Sequence, residues 1–233
     1  MVELFPVGFE EREDGGAVEL AAYTERDELP PALARLGPVS ATDVPAGWED
    51  GWRRFHRPVR IGPLWVGPPW EEPDEGALAV AIDPGRAFGT GAHATTRLCL
   101  ELLLGLVPAS LVDVGCGSGV VAVAAAKLGF APVFALDDDP AAVEAAAANA
   151  AANGVEVEVR LCNALADPLP AADAAVANIA LGPVEDVAAR FQGRLLAGSG
   201  YLEDKRPSGA GWTVVERRTA EGWAADLLTR TRR

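Results

Sequence analysis

From residue 77 onwards, short apolar runs alternate with longer segments of helical periodicity. Strands are predicted for the runs ALAVAIDP, SLVDVG, PVFALD, VEVEVRL and AAVANI. Helices are predicted for residues 93–106 and 119–129, for the alanine-rich segment after Pro140, and for residues 183–197. The end, WTVVERR–TAEG–WAADLLTR, predicts an antiparallel hairpin. This alternation predicts an α/β fold with a doubly wound parallel sheet, which binds ligands beyond the carboxyl ends of its strands.

The pattern before residue 77 predicts two further segments. In residues 1–45, FEERED and AVELAAYTE predict two strands joined at a glycine turn, DELPPALARL a helix, and PVSATDV a strand. We therefore expect a small α+β domain there. Residues 46–76, rich in tryptophan and proline, are predicted to be a linker whose tryptophans pack against a neighbour; the alternative is an aromatic platform for a ligand. Residues 77–233 form the α/β domain.

The charge of the chain narrows the class of partner. Twenty basic and 34 acidic residues give a formal net charge of -14, which argues against nucleic acid as the main ligand. Residues 1–87 carry 17 acidic and 8 basic side chains, so acidity is denser in the first part of the chain. Such a surface suits a basic protein partner, although it also serves solubility alone.

The cysteines and the apolar runs indicate the compartment. The three cysteines (Cys99, Cys116 and Cys162) are widely spaced and, with only two histidines, argue against a structural zinc site. An odd number of cysteines fits a reducing compartment. The acidic start resembles no signal peptide, and no run of 18 apolar residues is present. We expect a soluble, cytoplasmic protein without a membrane span.

The string VDVGCGSG lies where a predicted strand turns into a helix. Gly115, Gly117 and Gly119 permit a tight turn and let a ligand approach the backbone. Asp137, which ends the next strand, lies 22 positions after Gly115, near the offset of about 20 residues at which an acid binds ribose hydroxyls. This spacing indicates an adenosine-type ligand. The alternative is a turn that merely requires glycines.

Asp113 precedes the first glycine of this string by two positions. Its carboxylate would repel a pyrophosphate and attract an α-amino group, directly or through water. No phosphate-binding G-x-x-x-x-G-K-[ST] string is present. S-adenosylmethionine, which combines adenosine, a positive sulfonium and an amino-acid tail, fits these requirements.

Four strings together resemble one family. DPGRAFGTGAHATTRLCLELL, DVGCGSG, LDDDP and ANIAL are similar to strings of the ribosomal protein methyltransferase family called PrmA, over roughly residues 46–200. The resemblance implies a Rossmann-like methyltransferase sheet and S-adenosylmethionine as cofactor. It also implies a substrate amine, of lysine or a chain terminus, on protein eleven of the large ribosomal subunit. The alternatives are a methyltransferase of the same fold with another protein or a small amine as substrate, and a non-catalytic cofactor-binding domain.

The resemblance also implies site residues. Thr96 matches a threonine that contacts the cofactor, Gly115 the first glycine of the cofactor loop, and Asp137 the ribose carboxylate. Gly117 belongs to the same loop. Asn178 matches the asparagine near the transferred methyl group. An asparagine side chain can accept the hydrogens of an amine, although it also closes strands as a turn residue.

Two further residues of the first string have alternative roles. His93 either orients a substrate amine or acts as a base, or it fixes the loop through a hydrogen bond, which is the favoured role. Thr95 or Thr96 can also cap the helix that follows.

The sequence departs from the family in two places. Family members carry a longer amino-terminal recognition domain, whereas about 45 residues precede the tryptophan-rich segment here. Near the carboxyl end the family has an L-S-G-I-L-type strand, and this chain has the charged string GSGYLEDKRPSG. We therefore expect these departures to leave cofactor binding intact and to bear on the identity of the substrate.

Overall fold

The computed structural model describes the backbone of residues 10–14 and 17–21, and residues 57–83 and 91–231 with their side chains. The chain divides into two units, residues 1–48 and 49–233. In the first unit, β1 (Glu10–Asp14) and β2 (Ala17–Ala21) pair as an antiparallel hairpin. This confirms the predicted hairpin; the helix and strand predicted after it lie outside the described residues.

The second unit begins with a small sheet of three strands. Its order is β3 (Val59–Ile61), β4 (Leu64–Gly67), β5 (Leu78–Ala81), with β3 and β4 antiparallel and β4 and β5 parallel. The Trp65 ring is buried against Gly67, where a Cβ atom would lie 2.6 Å from it. Residues 59–67 thus form strands inside the predicted linker. The domain boundaries themselves stay predictions.

A seven-stranded sheet forms the centre of the second unit. Its order is β11-β12-β10-β9-β6-β7-β8. The strands are β6 (Leu111–Val114), β7 (Val133–Asp137), β8 (Glu158–Leu161), β9 (Ala174–Asn178), β10 (Leu195–Leu202), β11 (Trp212–Ala220) and β12 (Trp223–Arg230). The pairs from β10 through β9, β6 and β7 to β8 are parallel, and β12 is antiparallel to both of its neighbours. The predicted parallel sheet with a final hairpin is therefore confirmed.

Helices cover both faces of this sheet. They are α1 (Ala94–Leu104), α2 (Val120–Lys127), α3 (Pro140–Ala152) and α4 (Leu181–Arg190). Because strand side chains alternate between faces, Leu111 packs with α1, α2 and α3 in one core, while Val112 packs with α4 in the other. Within the described residues, no helix has the length and apolar character needed to cross a membrane.

The prediction of a helix over residues 183–197 is wrong at its end. α4 stops at Arg190, and Phe191 already has extended backbone. Gly193 then packs so closely that an added Cβ would lie 2.4 Å from the Ala172 carbonyl oxygen. The chain continues into β10, whose Leu196 and Ala197 point into opposite cores. The apolar residues of 183–197 follow helical spacing, but they belong to a helix and to the strand after it.

The charged string GSGYLEDKRPSG begins within a strand. β10 covers LLAGSGYL, and the charged residues come after it. Arg217 of β11 donates to the carbonyl oxygens of Glu203 and Lys205 at 2.8 and 2.7 Å. The same guanidinium pairs at 3.0 Å with the fully buried carboxylate of Asp226. The charged segment is thus attached to the final hairpin and does not replace a strand.

Candidate active site

The glycine loop connects β6 to α2 at the carboxyl edge of the sheet. Gly115, Gly117 and Gly119 have φ values of 67°, 53° and 79°, in the left-handed region that only glycine adopts readily. Gly119 is the N-cap of α2 and provides no capping side chain. The turn after β6 therefore needs glycine at these positions, as the sequence predicted.

Asp137, the last residue of β7, holds this loop. Its Oδ2 accepts a hydrogen bond from the Gly117 amide at 2.9 Å, and its Oδ1 accepts one from the Asp139 amide at 3.1 Å. A carboxylate has about four acceptor positions on its two oxygens. Asp137 therefore keeps acceptor capacity for ligand hydroxyls while it fixes the loop.

Thr96 and Asn178 form a second pair on the same edge. Asn178 ends β9, and its Nδ2 donates to Oγ1 of Thr96 in the first turn of α1 at 3.3 Å. Thr96 is only 1% exposed, so its hydroxyl has a fixed position. Two predicted site residues that lie 82 positions apart in sequence are thus in contact.

The two pairs are neighbours along the edge. A Cβ atom on Gly115 would lie 2.4 Å from Cγ2 of Ile179, the residue after Asn178. The backbone amide of Ile179 donates to the Ser199 carbonyl at 3.2 Å, which fixes the end of β9 against β10. The predicted residues of β6, β7, β9 and α1 therefore meet in one region.

His93 is the N-cap of α1, so the prediction that Thr95 or Thr96 caps this helix is wrong. Nδ1 of His93 accepts from the Thr95 amide at 3.4 Å and lies 2.8 Å from the Thr95 hydroxyl. The imidazole also meets the Trp223 ring edge to face at 5.1 Å. These contacts support the structural role favoured for His93, since an imidazole that caps a helix has a fixed ring.

Asp113 is a buried carboxylate beneath the glycine loop. It is 2% exposed, and its Oδ2 accepts from the Ala122 amide in the first turn of α2 at 3.1 Å. Since Gly119 cannot cap this helix, Asp113 provides the acceptor from a neighbouring strand. Burial raises the pKa of its carboxyl from 3.8 to about 7, the Ala122 hydrogen bond opposes this, and the Asp137 charge adds to it.

This burial predicts how stability depends on pH. Because the folded-state pKa lies above the ordinary value, the folded protein holds a proton that the unfolded chain has released. The contribution to stability is present below about pH 4 and is lost as the pH rises to about 7. Asp113→Asn keeps an acceptor for Ala122 and removes the titration. Between pH 5 and 8 the wild type should lose about 2–3 kcal/mol relative to this variant in urea unfolding; parallel pH profiles would contradict the assignment.

Two asparagines of α3, which no motif of the sequence pointed to, bond to the end of β5, and one of them also reaches the glycine loop. Asn149 and Asn153 lie four positions apart on α3 and bond to backbone groups of Asp83 and Ala81, respectively. Asn149 also donates to the Ser118 carbonyl inside the glycine loop at 2.9 Å. The only local signal was the N-x-x-x-N spacing, which places both side chains on one helix face.

Part of the first string lies outside the described residues. Phe88, Gly89 and Thr90 belong to it, whereas Gly91 is described and has a φ of 85°. A Cβ on Gly91 would lie 2.5 Å from the Val66 side chain, so packing against β4 accounts for this glycine. Among the described residues, no group of three or more His, Cys, Asp or Glu is placed to hold a metal ion.

Comparisons with known proteins agree with this architecture. The family described as "Ribosomal protein L11 methyltransferase (PrmA)" matches residues 32–230. The ribosomal protein L11 methyltransferase of Symbiobacterium thermophilum is 46% identical over 197 residues, covering 77% of this chain and 64% of that protein. The one of Pelotomaculum thermopropionicum is 43% identical over 227 residues, covering 85% and 72%. The chain thus spans about two thirds of the length of these relatives.

A solved structure gives the same result. The crystal structure of ribosomal protein L11 methylase from Lactobacillus delbrueckii subsp. bulgaricus matches with a TM-score of 0.65 and 27% identity, over 76% of this chain and all of that chain. The sheet order and this structural match define the Rossmann-like methyltransferase fold. Within that class, the chain belongs to the ribosomal protein L11 methyltransferase family.

Proposed function

We propose that this protein transfers methyl groups from S-adenosylmethionine to amines of ribosomal protein L11. The observation that carries the proposal is the adjacency of two pairs at one sheet edge, Gly117 with Asp137 and Asn178 with Thr96. One pair suits the ribose of a nucleoside, and the other suits an amine. The relatives that match this chain are named for the same activity.

The residues present fit this cofactor. When bound, S-adenosylmethionine supplies a methyl group on a positively charged sulfur. Asp137 would bind the ribose hydroxyls, and the left-handed glycines 115 and 117 would let the loop backbone approach the ligand without a Cβ in the way. The Asp137 carboxylate makes the region negative, which favours a cationic ligand over a phosphate, and Asp113 adds to this charge only as the pH rises through its raised pKa of about 7.

The amine must lose a proton before it attacks. A lysine amine with a pKa of about 10.4 costs about 4.6 kcal/mol to deprotonate at pH 7, and a chain terminus near 7.8 costs about 1 kcal/mol. Because Nδ2 of Asn178 donates a hydrogen bond to Thr96, the side-chain oxygen Oδ1 is left to accept a hydrogen bond from a ligand. In this proposal Oδ1 accepts a hydrogen bond from the neutral amine and so directs the nitrogen lone pair. The site then acts mainly by positioning the reactants.

The test is methyl transfer by the full chain. It is incubated with S-adenosylmethionine labelled on the methyl group and either purified L11 or total ribosomal protein, and the labelled product is identified by mass spectrometry. Label on L11 amines supports the proposal. Label on another protein would indicate a changed substrate, and cofactor binding without any label would indicate a non-catalytic domain.

We also propose that the amino-terminal unit recognises the basic substrate. Residues 1–87 hold 17 acidic and 8 basic side chains, and this part of the chain includes the separate unit 1–48. Ribosomal proteins are usually basic, so unlike charges would steer the two together. Steering of this kind is screened over about 8–10 Å at ordinary salt.

A chain that starts at residue 49 should therefore lose affinity for L11 and keep its affinity for the cofactor. The full chain should show an apparent KM for L11 that rises with salt, and the shortened chain a weaker dependence. Steady-state kinetics at low and physiological salt measure both. Equal methylation by the two chains, with the same salt response, would rule out the amino-terminal unit as the recognition element.

A further inference from the structure

Helix α3 meets the small sheet at β5 through side-chain amides. Among the strands that the structure describes, β5 is an outer strand of that sheet. Asn153 accepts from the Ala81 amide at 3.0 Å and donates to the Ala81 carbonyl at 2.6 Å. Asn149 accepts from the Asp83 amide at 2.9 Å and makes a longer contact to the Asp83 carbonyl at 3.4 Å. The two carboxamides thus occupy the positions at which another strand would pair.

Asn149 differs from Asn153 by its third partner. Its Nδ2 donates to the carbonyl of Ser118 at 2.9 Å, and its side chain is buried with 4% exposure. One carboxamide therefore joins three parts of the chain: α3, the end of β5 and the glycine loop. Asn153 makes its additional bond to the Asn149 carbonyl, within its own helix.

The glycine loop requires such an anchor. Gly117 and Gly119, on either side of Ser118, are left-handed, and glycine has little conformational preference of its own. The hydrogen bonds of this part of the loop include those from Gly117 to Asp137, from Gly119 to the Cys116 carbonyl at 2.8 Å, and from Asn149 to Ser118. The bond from Asn149 ties the loop to α3.

We propose that Asn149 is a positioning residue of the cofactor site. It sets the place of the glycine loop relative to the end of β5 and so holds the loop backbone in the shape that accepts the nucleoside. It does not need to touch the ligand itself. The inference rests on the proposed function, since it takes S-adenosylmethionine as the molecule bound by this loop.

The experiment compares Asn149→Ala with the matched control Asn153→Ala. Both remove a carboxamide from the same helix face, and both break bonds to the β5 segment. Affinity for S-adenosylhomocysteine is measured by calorimetric titration, melting temperature by circular dichroism, and kcat and KM for S-adenosylmethionine by methyl transfer. We expect Asn149→Ala to weaken S-adenosylhomocysteine binding about tenfold and to raise KM more than it lowers kcat. Asn153→Ala should lower the melting temperature and leave affinity within about twofold.

Further outcomes keep the proposal falsifiable. Asn149→Ser retains a hydroxyl that can bond to one of the partners of Asn149, and it replaces the alanine variant if that variant does not fold. Its affinity for S-adenosylhomocysteine should lie between those of the wild type and Asn149→Ala. If only the serine variant folds, its affinity should be below that of the wild type. Unchanged affinity in a folded Asn149 variant would overturn the inference, as would equal losses in the Asn149 and Asn153 variants. A wild-type chain that binds no S-adenosylhomocysteine would instead overturn the proposed function, and the inference with it.

Discussion

Replacing Asn178 with alanine should lower kcat about a hundredfold while cofactor affinity changes far less. Asn178 is the last residue of β9, and its Nδ2 donates a hydrogen bond to Thr96. Its Oδ1 is proposed to direct the substrate amine. An acceptor that acts on the attacking nitrogen contributes in the transition state, and misplacement of a reactant by about 1 Å can cost a hundredfold in rate. Single-turnover methylation rates and titration with S-adenosylhomocysteine measure the two quantities separately.

Thr96 provides the control for this variant. Thr96→Val keeps the buried shape and removes the hydroxyl that accepts from Asn178. We expect a smaller loss of kcat than for Asn178→Ala, because the acceptor remains and only its orientation is released, and Thr96→Ser should restore most of the rate. If Asn178→Ala reduced affinity and turnover equally, the residue would be an ordinary cofactor contact.

Replacing Asp137 with alanine should weaken cofactor binding by at least tenfold, with a loss of about ten- to a hundredfold for each ribose hydrogen bond removed. Hydrogen bonds to a charged group contribute about 1.5–3 kcal/mol each, and about 1.4 kcal/mol corresponds to a factor of ten. The structure adds a second reason, since the same carboxylate holds the Gly117 amide at 2.9 Å and the Asp139 amide at 3.1 Å. Loss of Asp137 therefore removes both a ligand contact and the support of the loop.

Two variants separate these contributions. Asp138→Ala removes the exposed neighbouring carboxylate and should leave affinity unchanged. Asp137→Asn keeps one acceptor oxygen without the charge, and we expect intermediate affinity. Calorimetric titration gives the affinities, and hydrogen exchange over residues 115–119 reports the loop. Wild-type affinity in Asp137→Ala would exclude the ribose assignment.

The sequence was most informative where local backbone chemistry decides the structure. The left-handed conformations of Gly115, Gly117 and Gly119 are open to glycine almost alone, so their spacing predicted the turn after β6. The position of Asp137 was also predictable, because it ends the next strand of the same local unit of strand, loop, helix and strand. Predominantly apolar runs such as LVDV and AAVAN predicted buried central strands, because both faces of a parallel sheet are covered by helices.

Sequence periodicity failed where two elements of different period adjoin. Residues 183–197 carry apolar positions at helical spacing, yet the helix ends at Arg190 and β10 begins at Leu195. Close packing at Gly193 against the Phe191 ring and the Ala172 carbonyl separates the two. The contact with Ala172 comes from a distant segment of the chain, which the periodicity of residues 183–197 does not report.

What the sequence by itself determined is the set of strands and helices that contain the glycine loop, Asp137 and Asn178, together with the family to which the chain belongs. Only the tertiary structure decided which side chains meet. The contact of Thr96 with Asn178 spans 82 positions and that of Asn149 with Asp83 spans 66. The first bond forms at the edge of the seven-stranded sheet where β9 ends beside the start of α1, and the second joins α3 to the end of β5 in the small sheet. Both depend on the order in which strands and helices pack, which periodicity along the chain does not encode.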